Sequence, residues 1–250
     1  MKRQRKQLYV EALIRADPEL LWERTQEPAQ HQRWDLRFGE IDHLPCAGAG
    51  EPQRFRYATR VLPFLVIAGT GVSAGEKRRP DGTRTSALRF ASAHPLSLLA
   101  EGSGYWRYVP TGDGVRFLTG YDYTPRWGRF GAVADRLVFR PLMGWATAWS
   151  FDRLRLWLER GTGPGRLLAR ALGEAAVRAV AAAGAVALAV DAAGHSDDAV
   201  AGAVPVLAAA LLAAAVLLPP LPGTPAARRC RRAPLAPVRT PAVLTALEQS

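Results

Sequence analysis

The chain has 250 residues, 48% of them hydrophobic, and its 33 Lys and Arg residues outnumber 22 Asp and Glu residues to give a net charge of +11. This composition excludes a chain that is disordered throughout, since it supplies one domain with an appendage or two small domains. The charge raises nucleic acid as a partner, but the basic residues are scattered and no helix-turn-helix, zinc-finger or RNP pattern accompanies them. We therefore expect no nucleic-acid binding. The clusters MKRQRK and RRCRR favour an anionic membrane surface instead.

The cysteines and the N-terminal segment indicate in which cellular compartment the N-terminal domain lies. Cys46 and Cys230 lie far apart in unlike surroundings, which argues against a disulfide framework or a CxxC metal pair and indicates a reducing compartment. Glu11 and Arg15 interrupt the segment LYVEALIRAD, so no apolar run of signal-peptide length follows the basic leader. The N-terminal domain is expected to stay in the cytoplasm.

One strand and two short helices are the first predicted elements. Residues 8–16 alternate apolar and polar side chains, as a half-buried strand does. Asp17 followed by Pro18 is typical of a helix start, because the carboxylate accepts hydrogen bonds from free amides and proline loses no needed donor. Helices are predicted at PELLWERTQ and at PAQHQRWD.

The next part of the chain, from Phe38 to Tyr123, has a period of two and turns rich in glycine, proline and aspartate, which predicts a meander of antiparallel strands. A long helical segment is predicted after it, from Gly131 to Glu159. The six predicted strands are FGEIDHLP, PQRFRYATRV, LVIAGTGVSAGEK, TRTSALRFASA, LAEGSGYWRYVP and VRFLTGYDYTP.

The order of elements, together with Asp17-Pro18-Glu19, Trp22 and the RWD at 33–35, resembles the SRPBCC superfamily. These START-related helix-grip proteins include polyketide cyclase/dehydrase and lipid-transport proteins. The resemblance covers about residues 7–160 and implies an α+β helix-grip fold, in which a curved antiparallel sheet wraps around a long C-terminal helix. It also implies a cavity for a hydrophobic or amphipathic ligand. A lipocalin-type barrel is the main alternative, but it would place its strands before a single helix.

The C-terminal third is predicted to contain two membrane-spanning helices. After the helix-grip domain at 1–160, we expect a linker at 161–171, two transmembrane helices within 172–221 and a basic Pro-rich tail at 222–250. Ala199 to Leu221 has no charged residue over 23 positions, which is long enough to cross a bilayer. The first segment is marginal, because it reaches about 19 residues only if Glu174 and Arg178 lie near the interface.

Charge favours a hairpin over a single span. The loop DAAGHSDD is acidic, whereas arginines precede the first segment and RRCRR follows the second. The positive-inside rule then places the N-terminal domain and the tail on the cytoplasmic side of the cytoplasmic membrane. Alanine-rich helices of a soluble bundle and an amphipathic surface anchor are the alternatives.

Strand alternation predicts which side chains face the cavity. In PQRFRYATRV the arginines point away from it, and in EGSGYWRYV the phase is ambiguous between Tyr105 with Arg107 and Trp106 with Tyr108. On the long helix, steps of about 100° turn two tryptophans towards the sheet. Tyrosines among apolar neighbours orient a ligand through their hydroxyls, or simply fill a core. The predicted ligand-binding residues are Phe55, Tyr57, Tyr105, Phe117, Tyr121, Tyr123, Trp145 and Trp149.

Catalytic and metal-binding candidates are few. Glu101 and Arg107 would form a buried acid and base pair if both faced inward, and would be exposed otherwise. The four histidines, His31, His43, His94 and His195, have no spacing that brings two together as ligands. No GxSxG, HExxH, phosphate-loop or dinucleotide pattern is present, so no metal or cofactor is predicted and no catalytic residue is assigned.

The sequence therefore predicts a domain that binds a hydrophobic small molecule or lipid at the cytoplasmic membrane face, for transport or sensing, more readily than an enzyme. A cyclase/dehydrase-type enzyme acting on a hydrophobic substrate is one alternative. A membrane-attached interaction module is the other. The sequence does not fix the ligand or the oligomeric state.

Overall fold

A computed structural model describes residues 7–45, 51–62, 65–193 and 198–234. The chain divides into two compact units. The first unit comprises Met1–Pro164 and Ala226–Ser250, and the second comprises Gly165–Pro225. His195 in the predicted acidic loop, Cys46, and the tail from residue 235 lie outside the described residues.

The first unit is built on a seven-stranded sheet with the order β1-β7-β6-β5-β4-β3-β2. All neighbouring strands pair antiparallel, so β2 to β7 form a meander and β1 closes against β7. The predicted order of strands is confirmed. The strands are β1 (Leu8–Ile14), β2 (Glu40–His43), β3 (Arg54–Leu62), β4 (Leu65–Arg78), β5 (Arg84–Ala91), β6 (Leu99–Thr111) and β7 (Gly114–Pro125).

Two short helices cross from β1 to β2, α1 (Pro18–Gln26) and α2 (Pro28–Trp34). The predicted N-cap is confirmed, since Asp17 Oδ1 accepts hydrogen bonds from the amides of Glu19 and Leu20, both at 2.9 Å. Proline occupies the first turn of both helices, where its missing N–H would have no helical partner. The helices carry Leu21 and Trp34 into the core, where both are fully buried.

A long helical stretch follows the sheet. It consists of α3 (Gly128–Ala134), a π-helical turn (Asp135–Phe139) and α4 (Arg140–Arg160). The amide of Arg140 donates to the carbonyl of Asp135, five residues back. Pro141 explains the wider turn, because its ring would clash with the carbonyl of Leu137 in a regular α-helix.

The core lies between α4 and one face of the sheet, the inner face. Phe151 of α4 stacks on Phe117 of β7 with ring centroids 4.4 Å apart. The ring centroids of Trp106 of β6 and Trp34 of α2 are 6.3 Å apart. Element order, sheet and long helix together give a mixed α/β architecture, that of a helix-grip fold. The lipocalin-type alternative does not describe this topology.

The predicted linker at 161–171 is largely helical. α4 ends at Arg160 because Gly161 adopts a left-handed conformation with φ of 66°, the usual glycine stop. α5 (Pro164–Ala192) begins three residues later with a proline in its first position. The glycines and proline of RGTGPG therefore mark the end of one helix and the start of the next.

After the second unit, the chain returns to the first unit and docks on it. A 3-10 turn (Ala227–Arg229) contacts α4. Beyond it, Arg231 pairs with Glu11 at the free edge of β1, through two backbone hydrogen bonds of 2.9 Å. The Cys230 thiol is buried and donates to the carbonyl of Ala148. This part of the predicted loose tail is thus ordered against α4 and β1.

Two adjacent residues of α4 hold both ends of the segment that forms the second unit. The guanidinium of Arg153 donates to the carbonyl of Pro164 at 3.0 and 2.8 Å. Asp152 accepts from the amide of Ala226 at 2.8 Å and from the Arg229 guanidinium at 2.9 Å. Both α4 side chains are buried. The chain therefore leaves and re-enters the first unit at neighbouring points of one helix.

The second unit consists of α5 and α6 (Asp198–Leu217). Within the described residues, α5 is long and apolar enough to cross a membrane. The part of α6 whose side chains are described, Gly202–Leu217, is also apolar, and the predicted ranking of the two segments stays a prediction. α5 is longer than expected because it begins at Pro164, and α6 ends at Leu217, two residues before Pro219.

Two charged residues of this unit, Glu174 and Arg178, bond each other and the end of a helix. Arg178 of α5 donates to Glu174 at 2.7 Å and to the carbonyls of Ala215, Leu218 and Pro219 at 2.8–3.0 Å. These carbonyls belong to the last turn of α6 and the residues after it, which lack helical partners. The two helices are therefore joined by a polar cluster at the end of α6.

Candidate functional site

A cavity of about 380 Å³ lies on the inner face of the sheet. Its walls come from strands β2 to β7, from α1 and α2, from the loop before β6, and from the start of the long helical stretch. Most of its surface is apolar, as is usual in pockets for hydrophobic ligands. The apolar lining residues include Phe38, Ile41, Phe55, Ile67, Leu88, Phe90, Leu98, Leu99, Phe139 and Met143.

Glycines of β4 shape one wall of this cavity. Gly71 pairs with Phe55 and Gly69 pairs with Tyr57 across the β3–β4 ladder. A Cβ atom on either glycine would collide with the ring of its partner, so each ring lies flat across the neighbouring strand. Gly69 and Gly71 therefore leave room for the two rings.

A buried polar cluster forms another part of the wall. The guanidinium of Arg37 donates to both oxygens of Asp35, at 2.9 and 2.6 Å, and His31 Nε2 lies 3.1 Å from Asp35 Oδ2. His31 and Arg37 line the cavity. Asp35 is buried behind them. Asp35 therefore orients both a ring and a guanidinium at the cavity surface.

The cluster is held close to electrical neutrality. Burial alone would raise the pKa of Asp35, but the Arg37 charge and the hydrogen bonds from His31 and Arg37 keep it well below its usual range. Burial lowers the pKa of His31, and the neighbouring Asp35 opposes this without reversing it. Asp35 and Arg37 thus form a compensated pair beside a neutral imidazole, so this wall offers hydrogen bonds without a net charge.

Tyr121 stands next to the polar cluster. Its hydroxyl lies 2.9 Å from Thr147 Oγ1 of α4, and the Arg37 guanidinium lies 5.5 Å from its ring centroid. Burial raises the pKa of Tyr121, while the Arg37 charge and the Thr147 hydrogen bond act in the opposite direction. Tyr121 therefore stays protonated and can both donate and accept a hydrogen bond.

Tyr123 anchors the π-helical turn at the cavity edge. Its hydroxyl donates to Asp135 Oδ1 at 2.5 Å, and its ring lies 5.7 Å from that of Phe139. Arg140 approaches Asp135 at 3.5 Å and bonds Asp122 at 2.6 Å. Burial and the Asp135 carboxylate raise the pKa of Tyr123, so its hydroxyl remains a donor that fixes this wall.

Several predicted ligand-binding residues do line the cavity. Phe55 and Tyr57 of β3 and Tyr121 and Tyr123 of β7 all contribute to its wall, in the phase that strand alternation predicts. Burial raises the pKa of Tyr57 to about 12, and its hydroxyl donates to the carbonyl of Ala91 at 3.3 Å. What these residues bind stays a prediction.

Tyr105 takes the other phase of β6. It pairs with Gly120, whereas its neighbour Trp106 pairs with the cavity residue Thr119. The Tyr105 ring therefore lies on the outer face of the sheet, packed over Gly120 and in a cluster with Tyr9 and Leu118. Tyr105 borders the cavity, but strand alternation leaves only its main chain on that side.

The remaining predicted residues do not line the cavity. Phe117 is part of the core against Phe151. Trp149 is buried below the Arg153 guanidinium, 5.5 Å from its ring centroid. Trp145 is 44% exposed on the side of α4 away from the sheet. Both tryptophans follow the regular period of α4, but the side of α4 that faces the sheet is the one that carries Thr147 and Phe151.

Glu101 and Arg107 do not form an acid and base pair in the cavity. Glu101 is exposed, and Arg107 lies on the outer face above the Tyr105 ring, 5.2 Å from its centroid. Six residues separate Glu101 from Arg107, and β6 pairs regularly between them, so both side chains lie on the outer face of the sheet. They therefore do not form the inward-facing pair.

His31 and Arg37 were not among the predicted site residues, although both line the cavity. One signal was present, since a histidine four residues before an aspartate lies on the same side of a helix. Asp35 and Arg37 form a salt bridge at the end of α2, but its location beside the cavity follows only from the packing of α2 against the sheet.

A sequence comparison shows that the chain is similar to a curated bacterial protein. It is 47% identical over 171 residues to the uncharacterized membrane protein YndG of Bacillus subtilis (strain 168), a match that spans 67% of this chain and 62% of YndG. The chain thus aligns with less than two thirds of that relative's length. No family model matches the chain.

Among solved structures, a STAR-related lipid transfer protein from Xanthomonas axonopodis has a TM-score of 0.46 and 16% identity, covering 61% of this chain and 85% of its own. The Zhui aromatase/cyclase from Streptomyces sp. R1128 has a TM-score of 0.39 and 15% identity, covering 60% and 96%. At these values, nothing that either protein binds or transforms carries over to this chain.

Proposed function

We propose that the first unit binds an uncharged or weakly polar hydrophobic small molecule or lipid in the cavity of the inner face. The observation that carries this proposal is the cavity itself, about 380 Å³ in volume and walled mainly by aromatic and aliphatic side chains. The neutral cluster of His31, Asp35 and Arg37 supplies hydrogen bonds without net charge, which suits a hydroxyl or carbonyl group better than a carboxylate or phosphate.

The binding test compares two tryptophan substitutions on neighbouring residues of β5. Leu88 lines the cavity and Arg89 alternates to the outer face. Full-length protein is purified in mild detergent, and small molecules extracted from it are quantified by mass spectrometry. Leu88→Trp should lower the extracted ligand about tenfold by filling the cavity, and Arg89→Trp should leave it unchanged. A wild-type protein without extractable ligand, or equal ligand in both variants, contradicts the proposal.

We further propose that α5 and α6 form a hairpin in the cytoplasmic membrane, with both of its ends on the cytoplasmic side. Because Asp152 and Arg153 hold Ala226 and Pro164, the segment between them leaves and re-enters the first unit at one place. A single crossing would separate these two points by the bilayer. The exposed apolar side chains of the segment, among them Val177, Val180 and Leu217, support contact with lipid. The name of the relative YndG as a membrane protein adds support.

Cysteine labelling in intact cells tests this topology. In a Cys46→Ser background, Cys230 is buried, so a new cysteine is the reactive one. A membrane-impermeant maleimide should label His195→Cys, in the loop between the helices, and should not label Asp113→Cys in the β6–β7 turn until the cells are opened. Release of the chain by alkaline carbonate would exclude the hairpin. Labelling at neither or at both positions in intact cells would contradict the orientation.

A second candidate is proton transfer on a bound hydrophobic substrate, as in a cyclase or dehydrase. One observation favours it, namely that a neutral histidine oriented by a carboxylate lies on the wall of the cavity that Tyr121 also lines, the arrangement of a general base. His31→Gln or Tyr121→Phe should then abolish conversion of the extracted compound while leaving its binding intact. If the compound is recovered chemically unchanged after incubation with the wild-type protein, the catalytic candidate is contradicted and only the binding proposal remains.

A further inference from the structure

An apolar stripe runs along the outer side of the helical stretch after β7. Phe130, Leu137 and Val138 are 73%, 68% and 64% exposed, so the described part of the first unit leaves them largely uncovered. We call this stripe the α3 face. Its large apolar side chains are Phe130, Val133, Leu137, Val138, Leu142 and Trp145. Contiguous exposed apolar surface of this kind marks a binding surface on a protein in water.

The π-helical turn aligns the two halves of this stripe. Phe130, Val133 and Leu137 recur at helical spacings of three and four, and Leu142 and Trp145 are again three apart. Leu137 and Leu142 are separated by five residues, which would place them on different faces of a regular α-helix. The π-helical turn at Asp135–Phe139 bonds at a spacing of five, so both halves of the stripe lie on one side.

Charge and aromatic residues at the edges of the α3 face point to lipid. Arg129 and Arg136 are exposed beside the stripe, and exposed tryptophans, Trp127 and Trp145, stand at its two ends. Aliphatic and aromatic residues on one side of a helix with arginines beside them characterise helices that lie in a membrane interface, where tryptophan is enriched. We propose that the α3 face docks on the surface of a bilayer that contains anionic lipids.

The same helical stretch also forms a wall of the cavity. Phe139 and Met143 line it from the opposite side, and Tyr123 holds Asp135 of the π-helical turn. Docking of the α3 face therefore brings one wall of the cavity to the lipid surface. A hydrophobic ligand would then have a short path between cavity and bilayer, without crossing bulk water.

This inference rests on the proposed membrane attachment, and the experiment separates the two. Full-length protein in the Cys46→Ser background is reconstituted into bilayer nanodiscs of phosphatidylcholine and phosphatidylglycerol, with and without shallow spin-labelled lipid. An environment-sensitive fluorophore is attached at Leu137→Cys or, as a second position on the same face, at Phe130→Cys. Asp113→Cys in the β6–β7 turn is the control, since that turn lies at the opposite end of the sheet from α3.

We expect lipid quenching at positions 137 and 130 to exceed that at 113 by at least about threefold. Arg129→Glu with Arg136→Glu should reduce the quenching about twofold when phosphatidylglycerol is present and have little effect without it. Equal quenching at all three positions overturns the docking surface, and carbonate-resistant protein in the same sample leaves the hairpin standing. If the unlabelled Leu137→Cys protein forms disulfide-linked dimers and the labelled protein shows no quenching, the face belongs to a contact with a second copy of the chain, which also overturns the proposal.

Discussion

The two units differ in how they treat their apolar residues. In the first unit, Trp34, Phe117, Phe151 and Leu154 are fully buried, and the interior carboxylates Asp35 and Asp152 are paired with arginines. In the second, valines and leucines of both helices are mostly exposed. The buried core and the paired interior charges therefore stabilise the fold of the first unit in water. The second needs surroundings that remove its apolar surface from water.

The two units also differ in tryptophan content, so their unfolding can be followed separately. All seven tryptophans of the chain lie at or before residue 157, so tryptophan fluorescence follows the first unit alone. Far-UV circular dichroism follows the helices of both.

The largest effect is expected from Asp35→Asn. The substitution leaves the buried Arg37 guanidinium without its counter-charge, which should lower the free energy of unfolding of the first unit by about 3–5 kcal/mol. Denaturant titration in detergent, followed by tryptophan fluorescence, measures it. The exposed Asp42→Asn on β2 is the control and should have little effect. A decrease in the free energy of unfolding of less than about 1 kcal/mol would mean that Asp35 and Arg37 are exposed to solvent rather than buried.

Asp152→Asn should release the returning segment. The carboxylate holds the Ala226 amide and the Arg229 guanidinium, contacts worth about 1.5–3 kcal/mol. Trypsin should then cleave after Arg229 and Arg231 much faster than in the wild type. Glu159→Gln is the matched control, because Glu159 also bonds Arg155 but not the returning segment. Equal cleavage rates in both variants would show that Asp152 does not fasten this segment.

In the second unit, Arg178→Ala removes the link between Glu174 and the end of α6. We expect the helical signal to be lost at lower temperature in detergent, corresponding to about 1–3 kcal/mol, while tryptophan fluorescence stays unchanged. Arg170→Ala, an exposed arginine two turns earlier on α5, should alter neither. A change in tryptophan fluorescence at the same temperature would contradict the prediction that the second unit unfolds independently of the first.

The smallest effect concerns pH. Burial lowers the pKa of His31 in the folded chain, so the unfolded chain takes up a proton at higher pH, near about 6.5. The stability that this provides is present above that pH and is lost as the pH falls below it, by at most about 1.4 kcal/mol per pH unit. His31→Gln should flatten the decline measured by tryptophan fluorescence below about pH 6.5. The same slope in His31→Gln as in the exposed control His43→Gln would contradict this assignment.

Much of the first unit could be predicted because its signals are local. Alternation gave the strands, and Asp17 with Pro18 gave the start of α1, since a cap needs only its own neighbours. The inward phases of β3 and β7 followed from the same alternation. In β6 it left two choices, and only the pairing of Trp106 with Thr119 decides between them.

What could not be predicted depends on a change of period or on distant packing. The π-helical turn shifts the phase of α4 relative to α3, and Pro141 was its signal in the sequence. Within α4 the period is regular, and only packing shows that Thr147 and Phe151, rather than Trp145 and Trp149, face the sheet. The docking of Arg231 on Glu11 joins residues 220 positions apart, and no periodicity in either segment indicates it.

The pairing of Glu11 with Arg231 also sets an order of events during synthesis. β1 is the first strand to leave the ribosome, but the partner for its free edge is made only after α5 and α6. Until then, the edge amides and carbonyls of β1 are open to other strands. The first unit therefore reaches its final state only after the apolar pair has been made, so a ribosome that stalls between residues 192 and 226 would leave a nascent chain with one unprotected edge.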